Sequence, residues 1–169
     1  MKIEVGMYPR LRRWLARGAV LAASLGVLIG SANGAAPPSK APRCPVTTGS
    51  GPADFSYKPN APLRSRVGTG FTLSGIVRSG IDCSIISGAR VEFWRAGPNG
   101  YDDAHRGTIV TDSAGRYRFE SDASSPNIGW RPHIHLRVAV PGYRTLVTVF
   151  FLRAGATAGT FDLVLDPDI

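Results

Sequence analysis

Two of the chain's three histidines stand two residues apart in the stretch Trp130-Arg131-Pro132-His133-Ile134-His135-Leu136-Arg137-Val138. From His133 onward polar and apolar residues alternate. That pattern predicts a β-strand with His133, His135 and Arg137 on one face and Ile134, Leu136 and Val138 on the other. Imidazoles so spaced lie about 6.6 to 7 Å apart along a strand and can converge on one metal ion. Neutral imidazole is a common ligand for zinc, copper and iron. A solvated polar strand face accounts for a bare His-x-His as well, so the surrounding residues must decide.

Other side chains able to do chemistry are few. Asp102 and Asp103, beside Tyr101, suggest an oxygen-rich calcium site, but two adjacent aspartates in a turn are ordinarily just solvated. His105, close to that turn, is a reserve ligand. In Gly115-Arg116-Tyr117-Arg118-Phe119, Tyr117 and Phe119 point one way and the arginines the other, so Tyr117 reads as core packing although its oxygen could ligate.

The elements that must hold these residues are short strands. Candidates are Phe71–Val77, Ala89–Trp94, Gly107–Thr111, Gly115–Glu120, His133–Val140, Arg144–Phe151 and Thr160–Leu165. Reversals at Gly97-Pro98-Asn99-Gly100, Asp112-Ser113-Ala114-Gly115 and Pro141-Gly142 separate them. The apolar run Leu146–Leu152 reads as a strand buried on both faces. About seven strands in roughly a hundred residues, with no convincing helix, predict an all-β fold, an antiparallel β-sandwich with one core. Residues 68–169 make up this domain. Residues 35–67 hold seven of the thirteen prolines and no periodic apolar pattern, and are expected to form an extended Pro-rich arm.

Residues 1–34 read as a cleavable signal peptide: a basic start (Lys2, Arg10, Arg12, Arg13, Arg17), an apolar run from Gly18 to Gly30, and small residues Ser31 to Ala35. The run is too short to span a bilayer comfortably, so no stable membrane insertion is expected. Arg12-Arg13 hints at twin-arginine export, but the residues after the pair fit general secretion better. The mature protein would be secreted or periplasmic. The chain carries 20 basic and 12 acidic side chains. Cutting after Gly34 leaves 15 basic against 11 acidic, net +4 rather than +8. The remaining arginines form no basic run and interleave with no aromatic pattern, which excludes a nucleic-acid partner. In an oxidising compartment the two cysteines, Cys44 and Cys83, read by default as a disulfide stapling the arm to the domain; metal ligation is the weaker alternative, since they lack a CxxC-type spacing.

The order of pieces is also informative: Gly75-Ile76-Val77, Cys83, Gly88-Ala89-Arg90-Val91-Glu92-Phe93-Trp94, Asn99-Gly100-Tyr101, Arg106-Gly107, Thr111-Asp112 through Gly115-Arg116-Tyr117-Arg118-Phe119, Arg131-Pro132-His133-Ile134-His135, and Leu146-Val147-Thr148. This succession, from about Phe71 to Phe151, resembles the catalytic core of the intradiol ring-cleavage dioxygenases, the family of protocatechuate and catechol dioxygenases. It is most similar to the small exported members, which have a cysteine just before the Gly-Ala-x-Val strand; Cys44 to Tyr57, with Gly51-Pro52, resembles their entry segment. The resemblance implies a β-sandwich holding one non-haem ferric ion, Fe(III), through two tyrosines and two histidines. His133 and His135 match the histidine ligands and Tyr101 the first tyrosine; Tyr101 is also a catalytic position, and Arg131 is the candidate for the catalytic arginine. Phenolate oxygen is a hard donor that favours the oxidised metal, and imidazole tolerates it. The implied partners are a small aromatic diol of the catechol type and molecular oxygen. A homo-oligomer is compatible with everything in the sequence.

The chain departs from the pattern in two places. The family's second tyrosine lies a few residues before His-x-His, yet Ser121 to Trp130 contains none, and Asn127 sits roughly in its place. The family arginine lies three residues before the first histidine, where this chain has Trp130; Arg131 is one place late. A water or hydroxide would then complete a three-residue ligand set. The same skeleton, with Thr111 to Phe119 and Pro141-Gly142-Tyr143, also resembles the carboxypeptidase-regulatory or transthyretin-like sandwich, a non-catalytic binding module. That module does not require Trp94, Tyr101 and Arg131-Pro132-His133-Ile134-His135 in this order.

Overall fold

A computed structural model describes residues 44–123 and 131–168, which belong to one compact unit, Pro38–Ile169. The expected signal peptide, the start of the arm, Asn127 and Trp130 lie outside the described residues. Among the described residues, eight strands form two four-stranded sheets: β1 (Gly70–Ser79), β2 (Arg90–Trp94), β3 (Arg106–Val110), β4 (Arg116–Asp122), β5 (His133–Ala139), β6 (Leu146–Phe151), β7 (Ala158–Thr160) and β8 (Leu163–Leu165). In the first sheet β1 is central, with β4 antiparallel on one side and β7 and β8 on the other. The second runs β3-β2-β5-β6, antiparallel throughout. The fold is the expected all-β sandwich.

Alternation decides which residues meet between the sheets. Phe71, Leu73 and Val77 of β1, Tyr117 and Phe119 of β4, Val91 and Phe93 of β2, and Ile134, Leu136 and Val138 of β5 are all buried in one core. Phe93 and Phe119 stack across it with centroids 3.8 Å apart. Gly75 occupies the one inward β1 position where no side chain fits: a Cβ there would stand 2.0 Å from the Phe161 carbonyl oxygen.

Three expectations need correcting. Thr160–Leu165 is not one strand but two, β7 and β8, broken at Phe161-Asp162. At the break the Asp162 carboxylate, in place of a main-chain carbonyl, accepts the Ile76 N–H at 2.9 Å. Both segments also run parallel to β1, because a period-two pattern fixes a strand's face and carries no information about its direction. Finally, Leu146–Leu152 is not buried on both faces: β6 is an edge strand whose Val147 and Val149 are half-buried and whose Phe151 is exposed.

The strand that is buried on both faces is β2. Its outer side chains lie beneath the arm. Described residues 44–67 run along both sheet edges: Ser50 N–H donates to Val147 O, Arg64 N–H to Thr108 O, Val67 N–H to Glu120 O, and Thr47 N–H to Val164 O. Covering exposed edges in this way removes sites for unwanted strand pairing. Midway, residues Gly51–Asp54 make one turn of 3-10 helix against β5 and β6. Cys44 and Cys83 are bonded, joining the arm to the turn after β1 across a sequence separation of 39. Replacing both by serine is expected to lower stability by about 4 kcal/mol through lost loop constraint. Urea midpoints of the oxidised wild type and the double variant test this; coincident midpoints would contradict it.

Candidate metal centre

The metal-ligand candidates lie on the outer face of the second sheet, under the arm. Register aligns Arg106, Trp94, His135 and Val149 in one row across the four strands, and Thr108, Glu92, Arg137 and Val147 in the next. His133 stands opposite Phe151. Tyr101 arrives from the β2–β3 connection, where Gly97 and Gly100 pair across a tight turn and the Asp102 carboxylate caps the 3-10 helix Asp103–His105.

Tyr101 Oη lies 3.1 Å from His135 Nε2 and 3.3 Å from His133 Nε2. Each imidazole has its other nitrogen on a main-chain carbonyl, His135 Nδ1 on Ala53 O and His133 Nδ1 on Arg131 O, both at 2.7 Å. A carbonyl only accepts, so in the neutral rings both Nδ1 atoms carry the proton and both Nε2 lone pairs face Tyr101. Three lone-pair donors therefore converge with a single hydroxyl proton among them, and that proton can serve only one imidazole at a time. A cation satisfies all three. Donors about 2.1 Å from a shared first-row ion stand roughly 3 Å apart, which the two distances from Tyr101 Oη match. The residues fit a metal ion, and a phenol with two carbonyl-oriented imidazoles fits a ferric ion.

Burial tunes these groups. His135 is 3% exposed; it lies under the Trp94 ring, with centroids 5.1 Å apart and planes 13° from parallel. Burial is the main reason its pKa falls to about 4; the Ala53 carbonyl opposes the shift and His133 reinforces it. The ring is thus neutral at pH 7, with its lone pair available. Burial also raises the Tyr101 pKa, partly offset by the Arg95 guanidinium, so without metal Tyr101 is a phenol and metal binding must release its proton.

Because the folded protein holds the His135 pKa below the unfolded value, the metal-free fold binds fewer protons than the unfolded chain between about pH 6.5 and 4. That contribution is fully present above pH 6.5 and is lost as pH falls through this window. From pH 7.5 to 4.5 wild type should lose about 2 to 3 kcal/mol more than His135→Asn, measured by urea unfolding of metal-free protein. Equal losses in the two proteins would contradict the assignment.

The other sequence candidates go elsewhere. His105 Nδ1 is 2.6 Å from Asp102 Oδ1, and its Nε2 is 3.6 Å from Asp122 Oδ2. Asp102 caps the helix and Asp103 pairs with Lys58 and Arg106, in each case through Oδ1, so both carboxylates already serve local partners. Tyr117 donates its hydroxyl to Phe161 O inside the core, as its alternation predicts. Among the described residues no group of three His, Cys, Asp or Glu could hold a metal ion; the third donor here is a phenol. Arg131 brings its carbonyl to His133, while its exposed guanidinium lies 5.2 Å over the Phe151 ring.

Residue-by-residue reading missed the arm. Besides Ala53 O on His135, Phe55 O accepts the Trp94 indole N–H at 2.9 Å, and Tyr57 Oη donates to Glu92 Oε2 at 2.9 Å. Glu92 is also held by Arg137 at 2.7 Å. A usable signal was present: Trp94 on the histidine-bearing face requires a cover, and the arm's Phe55 and Tyr57 are the aromatics available to provide one.

No family model matches the chain. Chlorocatechol 1,2-dioxygenase of Pseudomonas putida is 29% identical over 110 residues, covering 49% of this chain and 42% of that protein. 6-Chlorohydroxyquinol 1,2-dioxygenase of Cupriavidus pinatubonensis is 30% identical over 102 residues, covering 44% and 37%. Among solved structures, the dioxygenase domain of a carbohydrate-binding fusion from Streptomyces sp. SirexAA-E is similar at 26% identity and a TM-score of 0.57, over 66% of this chain and 92% of that one. The chain is thus similar to intradiol ring-cleavage dioxygenases in sequence and in fold. An intradiol dioxygenase from Tetranychus urticae shares the fold at 16% identity, with a TM-score of 0.61 over 75% of this chain and 97% of that one. The chain spans about two fifths of the length of the curated family members it matches, 42% and 37%.

Proposed function

We propose that this protein is an exported non-haem ferric dioxygenase that cleaves catechol-type diols between the two hydroxylated carbons, using molecular oxygen. The observation that carries the reading is the convergence of Tyr101 Oη with two Nε2 lone pairs whose tautomers main-chain carbonyls fix. Tyr101, His133 and His135 would hold the ferric ion, which when bound supplies a Lewis acid for both diol oxygens and the redox chemistry of oxygen attack. The rest falls to the chain. Tyr101 gives up its phenolic proton on loading. Trp94 and the arm keep water from the buried side of His135. On the open side two exposed rings stand against ligands: Phe55, 61% exposed, edge-on to Tyr101 at 5.4 Å, and Phe151, 49% exposed, 5.8 Å from His133. Such rings suit the apolar faces of an aromatic diol. Export is supported by the signal-like residues 1–34 and by the bonded Cys44–Cys83 pair.

The test is an oxygen electrode run on iron-loaded protein with catechol and several substituted catechols, followed by product analysis. Oxygen uptake matched by a muconate-type diacid is the expected result. A second reading has one observation in its favour: Ser121 to Trp130 contains no second tyrosine to take a substrate proton. Iron binding without uptake across all the catechols would mean a metal-binding sandwich without turnover. Ligand binding indifferent to metal would point to the non-catalytic module.

A further inference from the structure

Arg106 has no task in the metal centre as described so far, yet it is 3% exposed. It begins β3 on the outer face, opposite Trp94. Burying a guanidinium is costly unless its donors are satisfied, and these are. Nη2 donates to Tyr101 O at 2.9 Å, Nε to Asp102 O at 3.1 Å, and Nη1 to Ser56 O at 3.3 Å; Asp103 Oδ1 lies 3.2 Å from Nε. Two of these carbonyls belong to the Tyr101 loop. The third belongs to the arm, beside Phe55 and close to Ala53, whose carbonyls hold Trp94 and His135.

The next residue fixes where this fork starts. A Cβ at Gly107 would stand 2.7 Å from Phe93 Cζ and 2.8 Å from Arg64 Cγ, so the strand passes where only glycine fits. A rigid planar fork can serve three separate carbonyls; a lysine ammonium on a flexible stem cannot hold them in one geometry.

We propose that Arg106 is a positioning residue for the metal centre: it fixes the main chain at Tyr101 and ties it to the arm, so that Tyr101 Oη stands between the two Nε2 atoms. The proposal rests on the ferric reading only for the second of its two readouts.

The test compares wild type with Arg106→Lys and Arg106→Met. In metal-free wild type, nuclear Overhauser contacts should join the Tyr101 ring to the Hε1 protons of His133 and His135. Folded Arg106→Lys should lose them while keeping the contacts between Trp94 and His135. On ferric titration the phenolate-to-iron band should fall sharply, and iron affinity should weaken by about 10-fold, the scale of an outer-shell change. Unchanged contacts and an unchanged band in both variants would overturn the proposal. So would loss of the sandwich itself in both, which would make Arg106 a general stability residue. A wild type that shows the ring contacts but takes up no iron would defeat the ferric reading alone, and the ring contacts of the variants would still decide the role of Arg106.

Discussion

Tyr101→Phe is expected to abolish the phenolate-to-iron charge-transfer band while leaving the fold intact. Tyr101 is the only tyrosine beside the two imidazoles among the described residues. Ser121 to Trp130 supplies none, and Tyr117 spends its hydroxyl in the core. The wild-type band should accordingly be present but weaker than for two tyrosinates. Iron affinity should drop by more than the roughly 10- to 100-fold typical of an outer-shell change, because a charged donor is lost from a three-residue chelate. Stability should move little, since the hydroxyl shares one proton between two acceptors and the ring packs partly against exposed Phe55. Absorption spectra and iron analysis of the two proteins check this. A band that survives Tyr101→Phe would assign the oxygen ligand to Tyr117 or Tyr143.

The second large effect separates the two histidines. His133→Ala and His135→Ala should each empty the site, since two remaining donors make a weak chelate. Their metal-free stabilities should differ. His133 is half-buried beside exposed Phe151, and its loss should cost less than about 1 kcal/mol. His135 is buried between the Ala53 carbonyl and the Trp94 ring. Its removal opens a hole and leaves that carbonyl unpaired, a cost of about 2 to 4 kcal/mol. Thermal unfolding of both variants after chelation measures the gap. Equal destabilisation would mean that Ala53 and Trp94 do not hold His135 as described.

Much of the sandwich was legible because its core obeys a single rule. Phe71, Leu73 and Val77, or Ile134, Leu136 and Val138, recur every second residue, and a strand with one buried face has no other register. The same rule placed His133 and His135 side by side on the opposite face. It could not place Tyr101, which comes from a turn with no period; that residue entered through resemblance, and the geometry then brought it to the histidines. Nor could it give the direction of β7 and β8, set by the path of the chain between the sheets. The break between them depends on one carboxylate, Asp162, standing in for a main-chain acceptor, which composition and periodicity do not register. The double burial of β2 was hidden for a related reason: Glu92, like Arg106 on neighbouring β3, looks like a surface residue until the layer above it is known.

That layer reaches the centre largely through peptide carbonyls. Ala53, Phe55 and Ser56 offer main-chain oxygens to His135, Trp94 and Arg106, and every amino acid carries such an oxygen. At the positions that act through these oxygens, what must be preserved is therefore the count of residues rather than their identities. From Cys44, pinned by its bond to Cys83, each carbonyl falls at a set distance along the chain. Exchanging Ala53 or Ser56 for another small residue leaves the ruler unchanged, whereas adding or deleting one residue between Cys44 and Ala53 moves every mark on it. Apart from Cys44, Phe55 and Tyr57, whose side chains act themselves, the segment should thus diverge freely in letters and hardly at all in length.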